Sequence, residues 1–423
     1  MNYKVIEKNN YKLHLINTDR FKTIKFRVIL KQPVIKEEIV LRNMLLDVLT
    51  YSCMKYPSKK ELVKQAQNLY GASVYSRGYR IGKMQLINIY LTVLNEKYTE
   101  SGMLEESLKL LSEILFNPKI EDDRFDEESF NLSYRQNLQS IKNLKDSKGK
   151  YATIRMLENM SDNKEYTYNE YGYIDDLNKQ NSSVLYDYYK KIINTSKVDI
   201  YVIGNIENID IEGLLDKYMK FENNPNEEEN AIIKHEDFRN EINIVKEQDN
   251  NNQSNLVIGC KLNDLTNFEM NYVLTIYNII FGSGADSKLF KNVREENSLC
   301  YYVTSSVNKL DNLLFIRSGI SKNNFDKVVE LINKNMELMT LGEFTDDDIA
   351  KAKNAYLSFV DEIKDNDDAI IETYIAHDIL GIDLIDERKE QVMKVTKEDI
   401  INVSKKIKID TIYLLEGDKN EGE

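Results

Sequence analysis

The sequence runs through one series of hydrophobic patterns and then runs through it again. Ile24, Phe26, Val28 and Leu30 alternate with other residues at the period of two expected of a half-buried strand. Leu256, Ile258, Cys260 and Leu262 alternate in the same way. An apolar helix follows the first strand over about 37–54, with Leu41, Leu45, Leu46, Val48 and Leu49 on a broad face, and a comparable helix spans 268–281 after the second. Strands near 72–79 and 84–94 are answered by strands near 299–306 and 312–320. Helix 102–116, with Leu104, Leu108, Leu111 and Leu115 in one stripe, is answered by helix 325–339, with Val328, Val329, Ile332, Met336 and Met339. The helix starting near Asp126 matches one capped by Thr345-Asp346-Asp347-Asp348, and strand 198–204 matches 409–418. The offset between partners drifts from 232 (24 to 256) through 227 (72 to 299) to 211 (198 to 409). A slowly drifting offset over this many elements marks an internal duplication.

The pattern predicts an α+β fold of two homologous α/β-sandwich halves, each a mixed, mostly antiparallel sheet packed with long helices. A chain of 423 residues is also too long for one ordinary core. The expected division is an N-terminal half over 1–221, a linker over 222–240 centred on the polar run Glu222-Asn223-Asn224-Pro225-Asn226-Glu227-Glu228-Glu229-Asn230, and a C-terminal half over 241–423. Only 4 Pro and 16 Gly favour long helices over many tight turns.

A net charge of −13 leaves no basic excess to displace counterions, which argues against nucleic acid as a partner. Cys53, Cys260 and Cys300 are odd in number and widely spaced, so a disulfide framework or cysteine zinc site is not expected and a reducing compartment fits. No run approaches the roughly 18 apolar residues of a membrane helix, and the N-terminus lacks an apolar core of signal-peptide length. These features predict a cytoplasmic protein without a membrane partner.

One stretch of the second half carries candidate chemistry. After the glycine turn Phe281-Gly282-Ser283-Gly284, residues 286–302 place Arg294 at the end of a helix and Tyr301 at the start of a strand. Arginine offers fixed, always-charged donors, and a tyrosine hydroxyl can donate to a carbonyl oxygen. Two such groups beside a groove suit the gripping of a peptide. They suit ordinary structure equally well, as a helix-ending arginine beside a half-buried tyrosine.

The residues around this pair carry a resemblance. Leu289-Phe290-Lys291-Asn292-Val293-Arg294-Glu295-Glu296-Asn297-Ser298-Leu299-Cys300-Tyr301 resembles the second-half signature L-F-x-x-[LV]-R-E-x-x-G-L-A-Y of the insulinase/pitrilysin family of zinc peptidases. Asn117-Pro118 with Phe125-Asp126-Glu127-Glu128, and Leu69-Tyr70-Gly71-Ala72-Ser73, resemble two first-half segments of that family. The likeness covers nearly the whole chain. It departs at Asn297-Ser298, where x-Gly is usual, and at Cys300, where Ala is usual.

Active members carry HxxEH on the first long helix, two imidazoles for zinc and a glutamate that activates the metal-bound water. The matching helix here has no histidine. In one register the motif falls on Met44, Asp47 and Val48, and in the other on Leu45, Val48 and Leu49. The family's third ligand falls near Ser140, flanked by Asn137 and Gln139. His14, His235 and His377 lie elsewhere and form no i, i+4 pair. Cys300 has no nearby histidine in sequence and reads as packing filler.

The resemblance therefore implies no metal and no catalytic residue in this chain, with zinc expected only in a partner subunit. It implies a substrate-binding role for Arg294 and Tyr301, which in the family bind a substrate carbonyl and help stabilise an oxyanion. The expected function is that of a non-catalytic subunit paired with a zinc-bearing insulinase-family paralogue as a heterodimer, gripping a peptide held as an added strand on a sheet edge. The alternative is a structural or scaffold subunit of a peptide-maturation or protein-modification complex, in which the pair has no substrate role.

Overall fold

The computed structural model describes residues 1–162, 164–222 and 231–417. The alternating segments form β1 (Asn2–Glu7), β2 (Lys12–Asn17), β3 (Thr23–Pro33), β4 (Ser73–Ile81), β5 (Met84–Leu94), β6 (Ile120–Glu121), β7 (Arg124–Phe125), β8 (Lys197–Gly204), β9 (Asn243–Asp249), β10 (Ser254–Leu262), β11 (Cys300–Asn308), β12 (Leu313–Ile320) and β13 (Ile407–Gly417). One sheet has the order β1-β2-β8-β3-β5-β4 and another the order β11-β12-β10-β13-β9, with β6 and β7 a small separate pair. Read from β4, the first sheet runs β4-β5-β3-β8-β2, which is the order of the second strand for strand. In each sheet one pairing is parallel, β2 with β8 and β9 with β13, and the rest are antiparallel. The fold is thus a duplicated α+β fold whose sheets are mixed and mostly antiparallel.

Two compact units emerge, one of Met1–Lys142 with Asn169–Asn230, the other of Asn143–Tyr168 with Ala231–Glu423. In the first unit, Ile24, Phe26, Val28 and Leu30 of β3 join Ile87, Ile89 and Leu91 of β5 and Ile200 and Val202 of β8 in one buried face. The helices Ile39–Leu49, Met103–Phe116 and Ser182–Thr195 contribute to the same core. Burying a side chain of this size stabilises by about 1.5–3 kcal/mol, which is why strand alternation and helix stripe must face each other.

In the second unit, helix Lys148–Met160 packs on β10 and β13. Ala152, Met156 and Met160 share a core with Val257, Leu313, Phe315, Tyr413 and Leu415. Gly259 makes this possible, since a Cβ there would stand 2.5 Å from the Met156 sulfur and 2.7 Å from that of Met160. A boundary at 221 places this helix with the first half by chain order, whereas its packing places it with the second sheet. The centre of the expected linker, 223–230, lies outside the described residues.

Each unit repeats one buried ion pair. Lys31 Nζ stands 2.7 Å from Asp199 Oδ2 in the first, and Lys261 Nζ 3.0 Å from Asp410 Oδ2 in the second. Asp199 lies on β8 and Asp410 on β13, strands that the sequence pattern pairs. The expected helix 268–281 is not uniform: wide, π-type turns at Glu269–Val273 and Ile279–Ser283 flank an α-helical Leu274–Asn278. Among the described residues, no helix is long and apolar enough to cross a membrane.

Candidate functional site

Two places in the fold correspond to the chemistry the sequence singled out, one in each unit. The first is the seam between helices Ile39–Leu49 and Glu127–Lys142. Met44, Leu45, Val48 and Leu49 are buried in the core. Asp47 turns toward the second helix, where its Oδ2 accepts from the Ser133 hydroxyl at 2.9 Å and from the Asn137 amide at 3.0 Å. The Asn137 amide also donates to the Ser133 carbonyl at 3.0 Å, and the Ser133 hydroxyl lies 3.3 Å from the Met44 carbonyl. Burial pushes the Asp47 carboxyl above its usual range, and the two donors hold that rise down.

In the register that places Asp47 at a motif position, that residue faces the second helix with Asn137 opposite. Ser140, the position expected to stand for the third ligand, is exposed and donates to the Gln136 carbonyl at 3.0 Å instead. A thioether, a carboxylate and a valine in place of two imidazoles and a glutamate do not fit zinc, and the one carboxylate is already bonded to two neutral donors.

The second place is the start of β11. Leu289 and Val293, both fully buried, anchor the wide helical turn Phe290–Glu295. That anchoring leaves Arg294 exposed, its guanidinium 5.0 Å from the centre of the Phe290 ring. The chain then reverses through Ser298 in the left-handed conformation, φ 50°, with Ser298 N–H donating to the Arg294 carbonyl at 3.0 Å and Leu299 N–H to that of Val293 at 3.1 Å. Only glycine takes this φ without cost, which explains the residue usual in the family signature.

Strand β11 begins with an irregularity: Cys300 pairs with Ile320 and Tyr302 with Gly319, so Tyr301 is the extra residue of a bulge. A bulge re-aims a side chain away from the pleat. Tyr301 is 45% exposed. Cys300, between the two candidates, is half-buried; burial raises its thiol pKa, and the Ser318 hydrogen bond and the Arg294 charge lower it less. It remains protonated and is no nucleophile at neutral pH. Both candidates thus lie on one short segment at the edge of the second sheet, held by a buried frame. Asp47's partners and the Phe290 support were not specified by spacing; a polar residue one turn from another on a mostly polar helix gives no signal of what it faces.

Comparison with known proteins gives a relative 31% identical over 410 residues, covering 96% of this chain and 95% of its own: a probable inactive metalloprotease, YmfF, of Bacillus subtilis (strain 168). The chain belongs to the peptidase M16 family. The family model described as "Peptidase M16 inactive domain" matches residues 181–356. Among solved structures, a conserved protein from Enterococcus faecalis V583 superposes with a TM-score of 0.92 at 26% identity, and a peptidase M16 inactive domain from Pseudomonas fluorescens with 0.81 at 15%, each over 100% of both chains. This M16 chain is an inactive, non-catalytic homologue of metallopeptidases, in keeping with the residues at Met44, Asp47 and Val48.

Proposed function

We propose that this M16 homologue is the non-catalytic subunit of a heteromeric zinc peptidase. It would dock with a zinc-bearing paralogue, close the reaction chamber, and offer Arg294 and Tyr301 to the backbone of a peptide substrate. Hydrolysis then belongs to the partner, and zinc is bound there. The observation that carries this reading is the exposure of Arg294 and Tyr301 on a segment whose neighbours Leu289, Val293 and Leu299 are buried. Exposed arginine and tyrosine on a fixed frame are what substrate contact requires and what packing alone does not. Three cysteines without a disulfide fit work in the cytoplasm.

One observation favours a scaffold role instead. The Arg294 guanidinium rests against the Phe290 ring of its own turn, a contact that a purely structural arginine also makes. The experiment that separates the readings is reconstitution with the partner, comparing wild type with Arg294→Ala and Tyr301→Phe. Substrate contact predicts intact assembly with turnover reduced by about a hundredfold or more, as for loss of one oxyanion donor. Unchanged turnover in an intact pair supports the scaffold.

A further inference from the structure

Arg317, on β12, is a largely buried guanidinium without a counterion. Its Nε donates to the Thr153 hydroxyl at 3.2 Å and its Nη1 to the Ser306 hydroxyl at 2.7 Å, and the group lies 5.0 Å from the centre of the Phe315 ring. Both acceptors are neutral. Among the described residues no carboxylate forms an ion pair with it, and the one charge-bearing group that influences its titration is the Tyr302 phenol. Burial draws its pKa down from the usual arginine value. The buried cations Lys31 and Lys261 each have their aspartate, whereas Arg317, like Lys309 with the Asn271 carbonyl, is held by neutral oxygens alone.

The surroundings supply donors and no acid. Tyr302, 38% exposed, follows the bulged Tyr301, and its hydroxyl has only a weak contact, 3.4 Å to Asn255 Oδ1. Gly319 forms the floor: a Cβ there would meet the Tyr302 ring at 2.6 Å and collide with the Gln253 amide nitrogen. That amide therefore lies over the same glycine. On the far side stands Gly149, in the first turn of helix Lys148–Met160, where a Cβ would be 3.8 Å from the Tyr302 hydroxyl. Asp249 is engaged with Lys148 at 2.5 Å and Glu416 with Lys322 at 3.1 Å.

We infer that Arg317, Tyr302 and Gln253 form a carboxylate-binding recess beside the start of β11, which selects substrate peptides carrying an acidic side chain or a free C-terminus near the residue held by Arg294 and Tyr301. The inference rests on the peptide-holding reading for its substrate, but the recess stands on Arg317 alone. A guanidinium whose outer face lacks a partner is preorganised for a two-oxygen acceptor, which a carboxylate presents in matching geometry. It also carries the desolvation cost of a charge without a counterion, which a bound carboxylate would offset.

Three arms test it on the full chain. In the first, glutarate and its neutral isostere glutaramide are titrated at constant ionic strength while the melting temperature is followed. Glutarate raises it in wild type and not in Arg317→Gln, and glutaramide raises it in neither. In the second, Arg317→Met is at least as stable as wild type in urea, since it removes an unpaired buried charge while keeping the stem. In the third, peptides differing only by Glu against Gln bind with about a tenfold preference for Glu that Arg317→Gln abolishes, the affinity of the Gln peptide being unchanged. An equal or absent glutarate response in both proteins overturns the recess, as does a Glu preference that survives Arg317→Gln. A glutarate response specific to wild type, with neither peptide bound even in the presence of the partner, upholds the recess and overturns the peptide-holding reading.

Discussion

The side-chain amide of Asn137 donates to Asp47 Oδ2 at 3.0 Å, across the seam where active relatives are expected to hold their metal. A carboxylate held by two neutral donors needs no cation. The seam has become a hydrogen-bonded packing contact, and its energetics are those of buried polar groups rather than of ligands.

Asn137→Ala removes one donor and leaves the half-buried carboxylate with Ser133 alone. The expected cost is about 1–3 kcal/mol in urea unfolding, the range for a buried polar group deprived of its partner. Asp47→Asn keeps an oxygen that can accept from both donors. Because the folded-state pKa of Asp47 is raised, the unfolded carboxyl ionises first and stability is lost as pH rises through that window. Asp47→Asn should therefore stabilise at pH 7 and gain nothing at a pH below the ordinary carboxylate range. Equal gain at both pH values contradicts the assignment.

Asp199 has the opposite sign. Burial raises its carboxyl pKa, but the facing His14 ring and the Lys31 ammonium outweigh that and hold it below the usual range. A depressed carboxyl gives stability that is present above the unfolded value and lost as pH falls through the folded one. Acid unfolding of wild type should therefore steepen below about pH 4, the unfolded aspartate range. Lys31→Met should cost about 3–5 kcal/mol at neutral pH, the price of breaking a buried pair, and flatten that acid limb.

Ser298 supplies a case where the family residue is the better one. Its φ of 50° costs a non-glycine residue about 1–2 kcal/mol, part of which glycine gives back through its freer unfolded chain. Ser298→Gly should raise stability by up to about 1 kcal/mol without altering the exposure of Arg294 and Tyr301. A lower urea midpoint contradicts the reading of the turn.

Gly259 is the contact point of helix Lys148–Met160 with the second sheet. Gly259→Val should cost about 1–3 kcal/mol through overpacking against Met156 and Met160. It should also make residues 143–168 the first site of limited proteolysis. Unchanged protease resistance there places the helix elsewhere.

Much of this fold is written in alternation. Ile24 to Leu30 and Leu256 to Leu262 announce matching strands because one face of each is buried and the other is not. Strand β9 is less legible: its exposed face includes Ile244, and its parallel pairing with β13 leaves no hairpin turn to mark it. Residues 148–159 read as a polar helical stretch, and local periodicity cannot say which sheet receives Met156 and Met160, because that depends on long-range packing. In the candidate site, Arg294 and Tyr301 are legible as a spaced pair, whereas the bond between Asn137 and Asp47 depends on the helix crossing. Arg317 had a visible signal, a lone charge within Leu313-Leu314-Phe315-Ile316-Arg317-Ser318, but its lack of a counterion is a fact of three dimensions.

The most direct test of the account is to assay the purified chain alone, for bound zinc and for cleavage of an internally quenched peptide, with zinc supplied and with a chelator. The account predicts no stoichiometric zinc and no turnover until the zinc-bearing partner is added. Chelator-sensitive turnover by the isolated chain, lost on Asp47→Asn, would contradict it.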